Sequence, residues 1–149
     1  MANTVKLKKY LDVNMEFVAV NAILPGMLVE ITSANKVQRH ATSGGDAVPL
    51  FALEDELQGK GIDEAYAADD PVQVWVAQRG EVVQALLADG ETAVIGSFLV
   101  SNGDGYLRVQ SQDSVYGMDV VGVALEAIDR ASSSGADTNV TGQIKVMVA

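Results

Sequence analysis

The feature that most constrains this chain is an internal repeat. Residues 51–77 align without a gap onto residues 123–149, at an offset of 72. Phe51-Ala52-Leu53-Glu54 falls on Val123-Ala124-Leu125-Glu126, and Val72-Gln73-Val74-Trp75-Val76-Ala77 falls on Ile144-Lys145-Val146-Met147-Val148-Ala149. Ala52, Leu53, Glu54, Val74, Val76 and Ala77 are identical to their counterparts. Upstream, at an offset of 70, Gly26 falls on Gly96. This pattern reads as two similar units, roughly residues 22–77 and 92–149. Each would be a strand, a hairpin, a buried strand, an Ala-Leu-Glu step, a long loop and a terminal strand. Neither half reads as closing a core alone, so the two are expected to pack into one small barrel or sandwich.

The local pattern agrees with an all-β chain. Short alternating or apolar runs occur at 16–20, 27–32, 36–41, 48–53, 72–76, 81–87, 97–100, 106–110, 120–125 and 144–148. Turn signals separate them. Pro25-Gly26 presets one φ and permits a positive one next to it, and Asn102-Gly103-Asp104-Gly105 reads as a hairpin. Residues 54–70 read as an acidic loop with one helical turn at most, and residues 130–142 as a Ser/Gly/Thr loop. Less than about 15% helix is expected, against a usual third. Val74, Trp75, Val76, Val123, Leu125, Val146 and Val148 are expected in one shared core.

With 149 residues and 48% apolar composition, the chain has material for a core. Its single domain is expected over residues 16–149, with residues 1–15 as an extended arm. No cysteine is present, which excludes disulfides and thiolate chemistry. No apolar run reaches the ~18–20 residues needed to span a bilayer, and no secretory leader is evident. The net charge of −10 disfavours broad nucleic-acid binding.

That charge is unevenly placed. Lys6, Lys8 and Lys9 give the first eleven residues +3, which leaves −13 for the rest. Val5-Lys6-Leu7-Lys8 alternates like a strand, and no turn leads it back to itself. The arm therefore reads as a segment for strand addition to a partner, with Val5, Lys6, Leu7, Lys8, Lys9 and Tyr10 as the candidate binding residues. A nucleic-acid arm and a plain solvated tail are the alternatives. In the free protein the arm is expected to be loosely held.

Catalytic and metal chemistry find little support. His40 is the only histidine, so no His-based metal cluster can form, and a satisfied or surface histidine is expected. The acids Glu54, Asp55, Glu56, Asp69 and Asp70 read as solvated surface, and Asn102 to Gly105 lacks the spaced acids of a calcium loop. Ser132-Ser133-Ser134-Gly135 is not followed by a phosphate-binding lysine. No cofactor, metal or enzyme activity is expected.

Several of these steps together resemble one family. Pro25-Gly26, the Phe51 to Glu54 step, the Val72 to Ala77 strand and the run Val121-Gly122-Val123-Ala124-Leu125-Glu126-Ala127 are similar to the capsid decoration (cement) proteins of tailed bacteriophages, in their β-barrel group. The acidic stretch at 54–70 and Asp119-Val120 depart from that pattern. The resemblance implies homotrimers on the outer capsid surface of the virion, seated at local three-fold positions on the major capsid protein. It also implies reinforcement of the expanded shell against internal DNA pressure. A non-catalytic carbohydrate-binding or adhesion module is the alternative, although one Trp and four Tyr give little aromatic surface for sugars.

Overall fold

The computed structural model describes residues 3–110, 119–131 and 142–149. The loop expected over 130–142 lies largely outside them. Among the described residues the fold is all-β. Its elements are β1 (Lys6–Lys8), β2 (Asn14–Ala19), β3 (Val29–Ile31), β4 (Lys36–Arg39), β5 (Leu50–Ala52), β6 (Pro71–Val76), β7 (Val82–Leu86), β8 (Thr92–Ala93), β9 (Phe98–Ser101), β10 (Leu107–Val109), β11 (Gly122–Ala124), β12 (Ile128–Asp129) and β13 (Gln143–Val148). The helical turn expected in the acidic loop is a short 3-10 segment, Glu56–Gln58, ended by Gly59 at φ 70°.

Two sheets carry the fold, ordered β3-β4-β2-β6-β5 and β1-β7-β13-β11-β9-β10, beside a small β8–β12 pair. Each large sheet closes on itself. In the first, a bridge between Leu28 and Phe51 joins the start of β3 to β5, while β2 and β4 pair in parallel. In the second, β9 pairs β11, and a parallel bridge between Leu87 and Leu107 joins the end of β7 to β10. The result is two five-stranded rings of the same winding.

The backbone hydrogen bonds repeat between the rings. Gly26 N to Ala52 O (2.8 Å) matches Gly96 N to Ala124 O (2.9 Å), and Leu53 N to Gln73 O (2.8 Å) matches Leu125 N to Lys145 O (2.9 Å). Ala77 N to Pro49 O (3.0 Å) matches Ala149 N to Val121 O (3.1 Å), and Val20 N to Val37 O matches Ala88 N to Leu107 O (both 2.8 Å). This last pair shows that the repeat also takes in the preceding strand. Residues 13–20 correspond to 81–88 at an offset of 68, so β2 is the counterpart of β7.

The same turn chemistry opens both rings. Gly26 stands at φ 92° and Gly96 at φ 91°, and each turn closes with a hydrogen bond, Met27 N to Leu24 O or Ser97 N to Val94 O. A side chain at either glycine would force the left-handed region.

Construction from two similar halves is as the repeat predicted. The apolar residues expected in one core divide between two clusters. Val74 lies inside the first ring with Phe17, Ala19, Val29, Val37, Ala52 and Val72. Val146 and Val148 lie in the second cluster with Ala85, Leu87, Leu99, Leu107, Ala124 and Ile144. Trp75 joins this second cluster together with Leu28 and Phe51, because the outer face of the first ring packs against the second unit. Val123 and Leu125 are only half-buried, since their side chains point out of their ring, and Val76, half-buried at the end of β6, packs against the first cluster. Leu125 is therefore not the deep core position that the alignment implied.

Candidate interaction surfaces

The arm is not loose. β1 adds antiparallel to β7 of its own chain, with Lys6 opposite Val83 and Lys8 opposite Val82. The expected strand forms, but the edge it pairs with is intramolecular. Lack of a nearby turn did not prevent this, because residues 9–13 cross the end of the second ring before entering β2.

Two buried carboxylates hold it. Glu54 accepts hydrogen bonds from the Thr4 hydroxyl (2.8 Å) and from Val5 N (3.0 Å). Glu81, fully buried, accepts from Tyr10 N (2.7 Å) and Leu11 N (3.2 Å) through one oxygen, and from Gln78 N through the other. Backbone N–H groups at the surface crossing are thereby satisfied by charge-assisted bonds. Glu54 is thus no solvated acid, and Asp70 likewise bonds locally, to Ala67 N at 3.0 Å.

The candidate arm residues separate into two sets. Val5 is fully buried in the second cluster, Lys6 is largely covered and Leu7 is half-buried. Lys6 Nζ lies 5.9 Å from the centre of the Trp75 ring and bonds Asn14 and Asp12. Lys9 Nζ is 2.9 Å from the other Asp12 oxygen. These two ammonium groups hold the Asp12 carboxyl down at about 2, below its ordinary 3.8, chiefly through hydrogen bonds from Lys6 and then Lys9. Two of the three lysine charges are thereby paired with Asp12 at the surface. Lys8, Lys9 and Tyr10 remain exposed, with Lys8 Nζ 5.6 Å from the Tyr10 ring centre.

His40 is buried where the two units meet. Nδ1 lies 2.6 Å from Ser101 Oγ, and Nε2 lies 2.8 Å from the Asp46 carbonyl and 3.6 Å from a Glu30 oxygen. Ser101 Oγ also accepts from Gly103 N at 3.1 Å, and Ser101 is fully buried. A serine so enclosed offers no face to a substrate, so this Ser–His pair ties the second hairpin to the first ring. Burial likewise keeps the Tyr66 hydroxyl protonated well above its usual range, and that hydroxyl donates to Leu53 O at 2.6 Å. Among the described residues no group of three or more His, Cys, Asp or Glu side chains is placed to hold a metal ion. Asn102 to Gly105 is the β9–β10 turn, with Asn102 N bonded to Tyr106 O at 2.9 Å.

A surface that the sequence reading did not single out lies on the outer face of the second ring. Phe98, Val123 and Met147 stand side by side across β9, β11 and β13, and Val82 of β7 continues the row. Phe98 and Met147 are exposed, as are Val94 and Ile95 in the turn beside them. The aligned counterparts Leu28, Phe51 and Trp75 were readable as equivalents, but their opposite burial was not.

The fold and these surfaces define an all-β protein of two fused, similar small barrels with apolar outer faces. No family model matches the chain, and no curated protein does. Among solved structures it is similar to the N base of the head fiber gp8.5 of bacteriophage phi29, with a TM-score of 0.59 and 13% identity over 93% of this chain and 95% of that one. At that identity the similarity is one of fold.

Proposed function

We propose that this chain is a structural protein of a phage virion that binds the outer surface of the expanded capsid as a decoration protein. Its partners in this reading are the major capsid protein and further copies of itself in a homotrimer. The observation that carries the proposal is the fold similarity to a phage head-fiber base along nearly the whole of both chains. The sequence resemblance to decoration proteins points the same way, and so do exposed apolar rows on a chain with a net charge of −10. The exposed part of the arm, Lys8, Lys9 and Tyr10, is the proposed capsid contact, because Val5 and Lys6 are already engaged within the chain.

The test is binding of the purified protein to undecorated expanded capsids of the phage that encodes it, read by co-sedimentation and cryo-microscopy. Saturable occupancy on the outer surface supports the proposal, and no binding to intact expanded shells refutes it. Deleting the arm would expose the core around Val5, so Tyr10→Ala and Lys8→Glu are the informative variants. Exposed ion pairs contribute only about 0–1 kcal/mol each, so Tyr10→Ala should weaken binding more than Lys8→Glu.

A further inference from the structure

The duplicated fold carries one interface whose two sides each have a bare counterpart. In the first ring, the outer row Leu28, Phe51 and Trp75 is fully buried against the second unit. The turn beside it presses on β7: a Cβ placed on Gly26 would lie 2.9 Å from Gln84 O and 3.4 Å from Leu86 Cγ. Leu86 packs in turn into the first cluster, with Leu24 beside it. As a result every residue of 81–88 is buried.

Equivalent positions elsewhere are open on both sides. Phe98 is 55% exposed, Met147 37%, and Ile95, the counterpart of buried Pro25, is 71% exposed. A Cβ on Gly96 meets nothing within 4 Å, although its φ equals that of Gly26. On the other side, β2 is the counterpart of β7. Val18, the counterpart of Leu86, is 39% exposed, and Met15, Glu16 and Val20 are exposed where Val83, Gln84 and Ala88 are buried.

We infer that copies of this chain associate head to tail, the Ile95–Phe98–Met147 face of one copy seating on the outer face of β2 around Val18 in the next. The occupant follows from the molecule itself. The surface known to cover this kind of face is the strand equivalent to β2 in a unit of the same fold, and β2 is the copy of that strand left uncovered. Within the chain, face meets strand and never face meets face, so the contact is heterologous rather than two-fold. A heterologous contact closes into a ring when its rotation permits, which is the form a homotrimer needs. This step deepens the self-association proposed above. Val5 has no counterpart in the first unit, so the contact between copies lacks the arm that seals the internal one.

Two variants at exposed sites test it, Phe98→Asp on the face and Val18→Asp on the strand, with circular dichroism as the control for folding. Mass is read by light scattering after size exclusion. Wild type should form a closed oligomer, while each variant alone should fall to the 15.7 kDa chain. Mixed in equal amounts, the variants retain one intact face and one intact strand between them, so they should form a species of twice 15.7 kDa and nothing larger. A wild type that stays monomeric at its solubility limit overturns the inference. So does a monomeric Phe98→Asp beside a Val18→Asp that keeps the wild-type mass, which would mark a two-fold contact, or an unchanged mass in both variants. Failure to bind capsids with this pattern intact would overturn the decoration reading and leave the interface standing.

Discussion

Glu81 decides whether the arm is part of the fold or an appendage to it. Its carboxylate is fully buried and accepts from Tyr10 N, Leu11 N and Gln78 N. A hydrogen bond to a charged acceptor contributes about 1.5–3 kcal/mol. Three such bonds are offset by the several kcal/mol that removing a carboxylate from water costs. Glu81→Ala deletes the acceptor and leaves the donors unpaired, so the expected loss is the about 3–5 kcal/mol seen when a buried charged partner is removed. For a chain of this size each kcal/mol moves Tm by about 2–4 °C, which predicts a fall of about 10 °C. Glu81→Gln keeps one carbonyl acceptor and should lose about 1–2 kcal/mol. Thermal melts give the magnitude, and amide hydrogen exchange at Tyr10 and Leu11 gives the location. A melt within about 2 °C of the parent, with those two amides still protected, would refute the clamp.

Three further outcomes follow from the duplicated geometry and the arm. In dilute solution Leu28→Ala should cost about 2–5 kcal/mol, and Phe98→Ala at the equivalent exposed site less than about 1 kcal/mol; equal losses in chemical denaturation would contradict the assignment of buried and bare faces. Gly26→Ala and Gly96→Ala share a left-handed φ strain of about 1–2 kcal/mol, but only the first drives a Cβ onto Gln84 O, so Gly26→Ala should be clearly the worse in the same assay. Because the Asp12 carboxyl is lowered in the folded state, its contribution is fully present above 3.8 and is lost as pH falls through about 2; an NMR titration of Asp12 with a midpoint near 3.8 would show that Lys6 and Lys9 do not hold it.

Much of the fold was legible because strands and turns leave local marks. The β6 run Val72 to Val76, the Pro25-Gly26 turn and the Asn102 to Gly105 hairpin lie where periodicity and turn chemistry put them. The repeat was legible in its last third, where Ala-Leu-Glu and Val-x-Val are shared, and illegible in its first strand. Phe17-Val18-Ala19-Val20 and Ala85-Leu86-Leu87-Ala88 share only an apolar character, and the offset shifts from 72 to 68 through loop-length differences. Strand addition by the arm was readable from Val5 to Lys8, whereas its acceptor strand, about 75 residues away, was not. Burial of Glu54 and Glu81 had no local signal, because a carboxylate that caps backbone N–H groups looks in sequence like one facing water.

Identical residues in the two halves serve different ends, and that difference bears on assembly. Glu54 and Glu126 occupy the same step, yet Glu54 holds Thr4 and Val5 of the arm while Glu126 accepts from Lys145 N at 2.8 Å within its own ring. Glu126 thus satisfies its position without an outside partner. The outer rows behave in the opposite way. Phe98, Val123 and Met147 keep the apolar character of Leu28, Phe51 and Trp75, although Phe98 and Met147 stay exposed. Polar side chains at those positions would keep the ring intact, since they point away from its interior, and would favour solubility. An apolar row held on a bare face, next to a glycine turn with open space above it, therefore fits a surface completed by another chain.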